Sequence, residues 1–410
     1  MEKQLIPQLR FPEFKEKWQF KLFSDVVKVN QGLAILRSDR FSENADNRLP
    51  YITIPALEGK IVEYIENPKK SVICKKEDII ITRTGSGLGQ IWTNNYGVFH
   101  NNFFKVEPIK KDEDYKGFLY YYLLTKSIQN KMWLSAGVGA IPDLNHGDFY
   151  SLPYFKTKIE EQKKIASFLS DVDDKIAQLT KKKALLEQYK KGIMQKIFSQ
   201  ELRFKDDEGN PFPDWEQKSM GDIGTFQTSS VDKLSKSDEQ EVFLVNYMNV
   251  YRHETVSNET VKSYQVVTAN DNQLKSSNLL KGDLLFTPSS ETPTDIGHSV
   301  VIFEDINNAV YSYHLIRFRP SIQLNLMFSH YFCNTTNVLR QLSRFSTGST
   351  RFTISIGNFS KVKVCYPCVE EQTKIANLLS DIDLKIEAIQ SKIENTQAFK
   401  KGLLQQMFVR

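Results

Sequence analysis

The chain has 410 residues, of which 40% are hydrophobic, 12% aromatic and 25% charged, and its formal net charge is +5. This composition is that of an ordinary folded protein and excludes a fibrous or largely disordered chain. The length exceeds the size at which one hydrophobic core stops growing, so we expect two or more domains. The mild positive charge permits a polyanionic partner without requiring one, because nucleic-acid binding depends on clustered charge.

The apolar segments and the cysteines indicate the cellular compartment in which the protein is expected. No run approaches the roughly 20 apolar residues that span a bilayer, and the start MEKQLIPQLRFPEF lacks the apolar core of a signal peptide. The four cysteines are too few for a disulfide framework in a chain of this length. We therefore expect a cytoplasmic protein without membrane contact.

Residues 1–158 have the pattern of a small α+β domain. Short β-branched and aromatic runs, such as residues 51–54 and 79–81, are separated by Gly, Asn, Asp and Pro. Arg37 and Arg40 fall on a loop-like stretch rich in Ser, Asp and Asn, and each is either a DNA contact or part of a solvated surface.

A glycine-rich segment follows the predicted strand at residues 77–82. It reads Arg83-Thr84-Gly85-Ser86-Gly87-Leu88-Gly89, and its spacing fits neither the dinucleotide fingerprint nor a phosphate-binding loop. We interpret it as a turn or a close backbone approach to DNA rather than a cofactor site. Arg83 can bridge guanine O6 and N7 or grip a phosphate, and Ser86 is a small donor and acceptor, with an ordinary polar loop as the alternative.

Residues 159–205 contain no proline and predict a first long helix. Apolar residues recur there at alternating steps of three and four, which is typical of a coiled-coil seam. Lys183 and Lys190 interrupt that seam. The predicted seam residues of this helix are Ile165, Leu169, Val172, Ile176 and Leu179.

Residues 206–368 predict a second α+β domain, and residues 369–410 a second long helix. The strand-like segment 282–287 is followed by Pro288-Ser289-Ser290-Glu291-Thr292, the counterpart of the glycine-rich segment. Candidate DNA contacts in this domain are Arg252, Ser289, Ser290 and Thr292, again against the alternative of a polar loop. The predicted seam residues of the second helix are Ile375, Leu379, Ile382, Ile386 and Ile389.

The two halves are copies of one another. Residues 159–198 and 369–408 align without gaps at an offset of about 210 residues, and the openings containing Arg10 and Arg203 also match. The paired seams predict an antiparallel coiled coil with a pseudo-twofold axis, and the alternative is that each helix packs only on its own domain. The triplet Lys190-Lys191-Gly192 recurs at residues 400–402, which indicates either a basic segment that meets phosphate or acidic patches on a partner, or equally well a recurring helix break.

These features resemble one protein family. The Glu-Glu-Gln motifs at residues 160–162 and 370–372, each opening a long helix, the Lys-Lys-Gly triplets and the Leu-Arg-Phe…Trp openings are similar to those of type I restriction-modification specificity subunits. The resemblance spans the whole chain. It implies two domains that each read one half of an asymmetric site in double-stranded DNA, and a helix pair that fixes the gap.

The same resemblance implies partners and cofactors. Two modification subunits would bind the helix pair and supply methyltransferase activity with S-adenosylmethionine, and two restriction subunits would act as motor and nuclease. We expect no cofactor in this chain, with ATP and Mg bound by the partner subunits. A helix of about 40 residues is about 60 Å long, which limits the half-sites to a separation of about 17 base pairs.

The sequence gives little support for a catalytic or a metal-binding site. The chain lacks the Asn/Asp-Pro-Pro-aromatic loop of amino-group methyltransferases and a Gly-x-Ser-x-Gly elbow, so we expect a chain that is not an enzyme by itself. Four residues have spacing acceptable for zinc, but their counterparts in the first half are not thiols, so buried apolar cysteines are favoured over a metal site. These four residues are His330, Cys333, Cys365 and Cys368.

Two other functions compete with the DNA-reading interpretation. A duplicated protein-binding scaffold with a dimerising coiled coil would show no sequence-specific DNA contact. An independent nuclease or methyltransferase would show activity in the purified chain. The missing motifs count against the second alternative.

Overall fold

The computed structural model describes residues 5–66, 68–137, 141–233 and 235–409. The chain divides into two compact units, one formed by residues up to Lys181 together with those from Gln390 onward, and the other by residues from Lys182 to Ile389. Both divisions fall inside the two long helices. Each unit therefore contains one α+β domain, the beginning of one long helix and the end of the other.

The first unit contains three small antiparallel or mixed sheets packed on helices. One four-stranded sheet has the order β2-β9-β6-β7, another has the order β4-β3-β8-β5, and β1 pairs with β10. The strands are β1 (Gln19–Leu22), β2 (Val27–Gln31), β3 (Arg48–Ile52), β4 (Glu63–Glu66), β5 (Ile73–Cys74), β6 (Ile79–Thr82), β7 (Ile91–Trp92), β8 (Gly97–Phe99), β9 (Phe103–Pro108) and β10 (Pro153–Lys156). The helices are α1 (Phe23–Val26), α2 (Ile54–Leu57), α3 (Lys116–Leu123), α4 (Lys126–Ser135), α5 (His146–Tyr150) and α6 (Ile159–Phe198), whose later part belongs to the second unit.

The second unit repeats this arrangement. Its four-stranded sheet has the order β12-β19-β15-β17, a three-stranded sheet has the order β14-β13-β18, and β11 pairs with β21 as β1 does with β10. The strands are β11 (Glu216–Ser219), β12 (Gly224–Thr228), β13 (Gln240–Val245), β14 (Gln265–Ala269), β15 (Leu284–Phe286), β16 (Ser289–Ser290), β17 (Ser299–Val301), β18 (Ala309–Tyr311), β19 (Ile316–Pro320), β20 (Phe352–Thr353) and β21 (Lys363–Tyr366). The helices are α7 (Met220–Ile223), α8 (Tyr247–Tyr251), α9 (Asp271–Ser276), α10 (Leu326–Phe332), α11 (Thr336–Phe345), α12 (Ile356–Ser360) and α13 (Val369–Gln406), whose later part belongs to the first unit.

Each domain core is joined to the helices of its unit by aromatic and aliphatic side chains. In the first unit Trp18 packs edge-on against Phe118 and Phe408, so the end of α13 is part of that core. In the second unit Phe198, at the end of α6, packs against Trp215 and Phe328. Burial of this apolar surface is the main source of stability for each unit. The predicted fold class, two similar α+β domains and two long antiparallel helices, is confirmed.

The repeated Glu-Glu-Gln motifs have a structural explanation at the helix starts. Glu161 is buried and accepts two hydrogen bonds from Arg10, at 2.7 and 2.8 Å. Glu371 is buried and accepts bonds of 3.0 and 2.8 Å from Arg203, and a third from Trp215 Nε1. Bidentate guanidinium–carboxylate pairs of this kind are the strong, geometrically specific ones. The motif therefore ties each helix start to the Leu-Arg-Phe…Trp opening of its unit.

The predicted helix break at the Lys-Lys-Gly triplets is wrong. Helix α6 continues through Gly192 and α13 continues through Gly402. A Cβ added at either glycine would meet no atom within 4 Å, so neither a turn nor a close approach requires glycine there. The repeated element is the lysine, because Lys190 and Lys400 each bind an aspartate of the other helix. A glycine inside a helix costs only about 1 kcal/mol, which long helices tolerate.

Within the described residues, no helix has both the length and the apolar composition needed to cross a membrane.

Candidate nucleic-acid interface

The glycine-rich segment forms a tight turn at the end of a buried strand. Strand β6 is buried throughout, and Gly85–Gly87 forms a single 3-10 turn behind it. Gly85 and Gly89 have φ of 76° and 82°, in the left-handed region that glycine adopts without strain. Ser86 is exposed at the tip of this turn. The geometry presents one small polar side chain, flanked by two half-buried glycines, to a partner.

Arg83 is held by contacts within the first unit. Its Nη2 donates to Asp143 Oδ2 at 2.6 Å and its Nε to Leu144 O at 3.2 Å. The guanidinium carbon also lies 5.3 Å from the centre of the Phe104 ring, and the side chain is 14% exposed. Arg83 thus connects the strand end to the segment that follows α4. The structure shows a contact that positions the turn, and direct DNA contact by Arg83 stays a prediction.

The other two arginine candidates of the first domain differ in how many of their N–H groups are already bound within the domain. Arg40 donates to Ile35 O through Nε and Nη2 and forms a 3.0 Å pair with Glu63. Arg37, on the 3-10 turn Arg37–Asp39, is exposed. Because an arginine with several internal partners has few N–H groups left for a ligand, Arg37 is the better candidate of the two.

The second domain places a short hairpin beside the predicted loop 288–292. Strand β16 pairs with β20, joining Ser289 to Thr353 and Ser290 to Phe352. Ser290 is 6% exposed, and its hydroxyl donates to Thr292 O, so it stabilises the loop conformation. Thr292 is exposed and Ser289 is half-buried. Thr292 is therefore directly accessible to a ligand. Ser289 is less accessible, and its main role is to contact neighbouring side chains.

Several residues that the sequence analysis did not identify surround this loop. A shallow pocket of about 320 Å³ is formed where α8, the loop and the hairpin meet. The rings of Tyr247 and Tyr251 lie parallel, 5.9 Å apart, because a spacing of four residues puts both on one helix face. That spacing was visible in the sequence. The lining residues are Tyr247, Met248, Tyr251, Ser290, Glu291, Asp295 and Arg351.

Arg252 and a histidine pair lie next to this pocket. Arg252 is 65% exposed, with Glu254 3.9 Å from its guanidinium. His253 donates through Nδ1 to Ser299 O at 3.1 Å, and its Nε2 lies 3.1 Å from His298 Nδ1. His298 Nε2 lies 2.8 Å from Asp295 Oδ1. A chain of polar contacts thus links α8 to the pocket floor.

Burial lowers the pKa of His253, and the neighbouring His298 lowers it further. Because the folded pKa lies below the unfolded value of about 6.5, the folded domain favours the neutral ring, and this stabilisation is lost as pH falls through that value. We expect the thermal unfolding midpoint of the second unit to decrease as the pH is lowered from about 7.5 to about 5.5. The decrease should be smaller in His253→Asn. Asparagine tolerates the φ of 53° at this position. An unchanged pH dependence in the variant would contradict this assignment.

In each unit the two long helices are joined by an aspartate, a lysine and a tyrosine. In the first unit Asp173 of α6 binds Lys400 of α13 at 2.5 Å and accepts a hydrogen bond from Tyr121. In the second unit Asp383 of α13 binds Lys190 of α6 at 2.6 Å and accepts a hydrogen bond from Tyr331. The two triads are copies at an offset of 210 residues. Each ties both helices to a helix of the local domain.

The predicted seam residues lie at inward positions of the helices. Ile165, Leu169, Val172 and Leu179 are buried in α6, and Ile176 is half-buried. In α13 Ile375, Leu379, Ile382 and Ile389 are buried, and Ile386 is half-buried. Lys183 and Lys190 occupy the next inward positions of α6, and Lys190 meets its Asp383 partner there.

The four residues with spacing acceptable for zinc, for which buried cysteines were favoured over a metal site, are dispersed over different elements. Cys333 is fully buried at the end of α10, Cys365 lies on β21, and burial raises the pKa of both thiols. Across the described ranges, no group of three or more His, Cys, Asp or Glu side chains has the geometry to hold a metal ion.

The comparisons with known proteins agree on one family. A family model described as type I restriction modification DNA specificity domain matches residues 15–188 and 213–396. The chain belongs to this family. It is 24% identical to the type I restriction enzyme MjaVIII specificity subunit of Methanocaldococcus jannaschii, over 97% of this chain and 92% of that protein. It is also 24% identical to the putative MjaX specificity subunit of the same organism, over 96% and 93%.

Solved structures share the fold. The S subunit of a type I restriction-modification system from M. genitalium superposes with a TM-score of 0.56 at 15% identity, covering 98% of this chain and 99% of that chain. A chain from a study of complex assembly and conformational transition of the type I R-M system gives a TM-score of 0.58 at 15% identity, covering 95% and 97%. At this identity the likeness concerns the fold alone.

Proposed function

We propose that this chain, as a DNA-recognition subunit of a type I restriction-modification system, reads a two-part asymmetric site, one part with each domain. The observation that carries this proposal is the duplication itself. Both units repeat a four-stranded sheet of equivalent strand order, yet the turn after β6 carries Gly85, Ser86 and Gly87 where the loop after β15 carries Ser290, Glu291 and Thr292. Equivalent loops with unlike side chains suit two different half-sites, since base identity is read by side-chain chemistry.

The proposed division of the chain follows the same argument. Residues 1–158 and 206–368 are the two recognition domains, and residues 159–205 and 369–410 are the spacer helices. Of the predicted DNA contacts, the exposed Arg37, Ser86, Arg252 and Thr292 are the ones best placed to meet a duplex. Arg83, Arg40 and Ser290 act first on the conformation of their own loops. Exposed arginines contribute sequence-independent affinity through phosphates unless they meet a base edge.

We propose that catalysis belongs to the partners. The chain itself contributes recognition, while modification subunits hold S-adenosylmethionine and restriction subunits hold ATP and Mg. Two copies of each partner fit a chain with two copies of every docking element. The protein-binding scaffold is not favoured, because the family model that matches both halves is a DNA specificity domain.

The test is selection from a random duplex pool by this chain co-expressed with its modification subunit, at near-physiological salt, followed by sequencing. A two-part motif with one fixed gap is the expected result. Retention that depends on salt but enriches no motif would show binding through phosphates alone and would overturn the proposal.

The docking site for modification subunits is proposed on the outer face of the helices. Tyr189 is 53% exposed and Phe399 is 54% exposed, and they occupy equivalent positions of α6 and α13. Large exposed aromatic side chains are costly on a free surface and are frequent anchors of interfaces. One anchor on each helix fits two identical partners.

We expect the double variant Tyr189→Ala and Phe399→Ala to weaken co-purification of the modification subunit by at least about tenfold, since anchor residues contribute about 2 kcal/mol or more. Leu36→Ala is the matched control, because Leu36 is a 72% exposed apolar residue of the first domain. Equal recovery of the modification subunit by both variants would place the docking site elsewhere.

A further inference from the structure

The hairpin that contains β20 carries an exposed arginine next to the predicted recognition loop. Thr347 and Thr353 exchange backbone hydrogen bonds of 2.9 Å in both directions, which closes the segment between them into a tight tip. Residues 347–351, Thr-Gly-Ser-Thr-Arg, are all exposed. Gly348 has a φ of 142°, and a Cβ there would lie 2.0 Å from Arg351 O, so the tip requires glycine at this position.

The hairpin is fixed to the loop that the sequence analysis identified. Besides the β16–β20 pairing, Ile354 N donates to Pro288 O at 2.8 Å. Arg351 Nη2 donates to Ser289 Oγ at 3.2 Å. The loop and the hairpin tip therefore form one edge, and Ser289 orients the arginine rather than presenting its own hydroxyl.

Arg351 differs from the other arginines considered in this domain. Arg317 is 5% exposed, and its Nη1 and Nη2 donate to Ser276 O, Asn278 O and Gln227 Oε1, so its guanidinium is not accessible to a ligand. Among the described residues, Arg351 uses one N–H on Ser289, which leaves four of its five donors for a ligand. A guanidinium held by one anchor, with its fork free, can make a bidentate contact with guanine O6 and N7.

The surroundings of Arg351 favour a base edge over a simple phosphate contact. Glu291 and Asp295 line the same pocket as Arg351 and place negative charge there, which repels a phosphate. Carboxylates at a base-reading surface accept from cytosine N4, the partner of guanine in the same pair. Tyr247 donates to Ser289 O at 2.6 Å and so holds the loop backbone in place.

The corresponding edge of the first domain has different chemistry. Thr84 and Asp143 form an isolated antiparallel β-bridge there, which corresponds to the pairing of Ser289 with Thr353. Gly85 N donates to Pro142 O at 2.9 Å. At the offset of 210 residues, the counterpart of Arg351 is Ile141, which is 70% exposed. An exposed isoleucine suits contact with a thymine methyl group, which the arginine does not. Equivalent positions of the two halves thus carry a cationic side chain in one and an apolar side chain in the other.

We propose that Arg351 is a specificity-determining residue that reads a guanine in the half-site of the second domain, with Ser289 as its positioning residue. This inference rests on the proposed function and names the side chain that carries part of it. The hairpin tip was outside the sequence-based candidates because it lies about 60 residues after the loop with which it pairs.

The test is selection of DNA by four chains, each co-expressed with the modification subunit. The chains are the parent, Arg351→Ala, Arg351→Lys and, as the matched control, Arg340→Ala, which removes an exposed arginine of α11. We expect Arg351→Ala to reduce the preference for guanine at one position of one half-site by about 5-fold to 150-fold, and to leave the other half-site unchanged. Arg351→Lys should restore affinity but only part of that preference, because an ammonium group can contact guanine but lacks the planar fork.

Each other outcome has a defined meaning. If Arg351→Ala lowers binding to all sequences equally and Arg351→Lys restores it, Arg351 grips a phosphate and the inference is overturned. If the motif of Arg351→Ala is that of the parent, the residue does not read DNA. Failure of the parent to select any motif contradicts the proposed function instead. Arg351 is exposed and β20 pairs through backbone atoms, so we expect all variants to keep the thermal unfolding midpoint of the parent.

Discussion

Replacing Arg203 by alanine is expected to destabilise the second unit by about 3–5 kcal/mol, because it leaves the buried carboxylate of Glu371 without its charged partner. Glu371 is fully buried, and after the change Trp215 Nε1 is the one side-chain donor to it that remains among the described residues. Guanidine hydrochloride unfolding, followed by hydrogen exchange in peptides from residues 206–368, measures the effect. The domain opening and the helix start should lose protection together.

The matched control for this change is a surface ion pair of the same unit. Lys262 and Glu259 are 2.8 Å apart, but their side chains are 64% and 85% exposed. Lys262→Ala should therefore alter stability by no more than about 0.5 kcal/mol. If Arg203→Ala and Lys262→Ala unfold at the same denaturant concentration, the Glu-Glu-Gln motif does not anchor the helix as described.

Replacing a seam residue by aspartate should have the second large effect. Ile389 is 7% exposed and Leu179 is 9% exposed, so either change removes a packed side chain and buries a carboxylate without a partner. Loss of the apolar side chain alone costs about 2–5 kcal/mol, and the unpaired charge adds to it. We expect Leu179→Asp and Ile389→Asp to abolish DNA modification by the assembled enzyme.

The helices provide their own controls. Leu185 of α6 is 56% exposed and Leu384 of α13 is 62% exposed, so the same substitutions there introduce a solvated carboxylate. Leu185→Asp and Leu384→Asp should keep the stability of the parent to within about 0.5 kcal/mol. Modification activity that survives Leu179→Asp would mean that the coiled coil does not hold the assembly together.

Much of the helical architecture could be predicted from the sequence. A seam with steps of three and four residues follows from the helix period, and its inward positions persist along both helices. The interruption of the seam by Lys190 was harder to interpret. A lysine at an inward position indicates a polar partner, but its Asp383 partner is 193 residues away, and no local pattern identifies it.

The recognition surface was only partly predictable, for a related reason. The turn at Gly85 and the loop at Ser289 could be located because each follows an apolar strand. The sequence did not reveal that Arg83 is occupied by Asp143, 60 residues later, or that Arg351 lies beside Ser289. Such contacts join segments brought together by sheet topology, and a local pattern of residue types carries no information about them.

The central claim, that each domain reads its own half-site, is tested most directly by selecting DNA with two variant chains. One variant carries Arg37→Ala and Ser86→Ala, and the other carries Arg252→Ala and Thr292→Ala, each co-expressed with the modification subunit. We expect each variant to select a motif altered in one half only, with different halves altered in the two variants and with the gap unchanged. Changes in both halves from either variant, or a motif unaffected by both, would contradict the central claim.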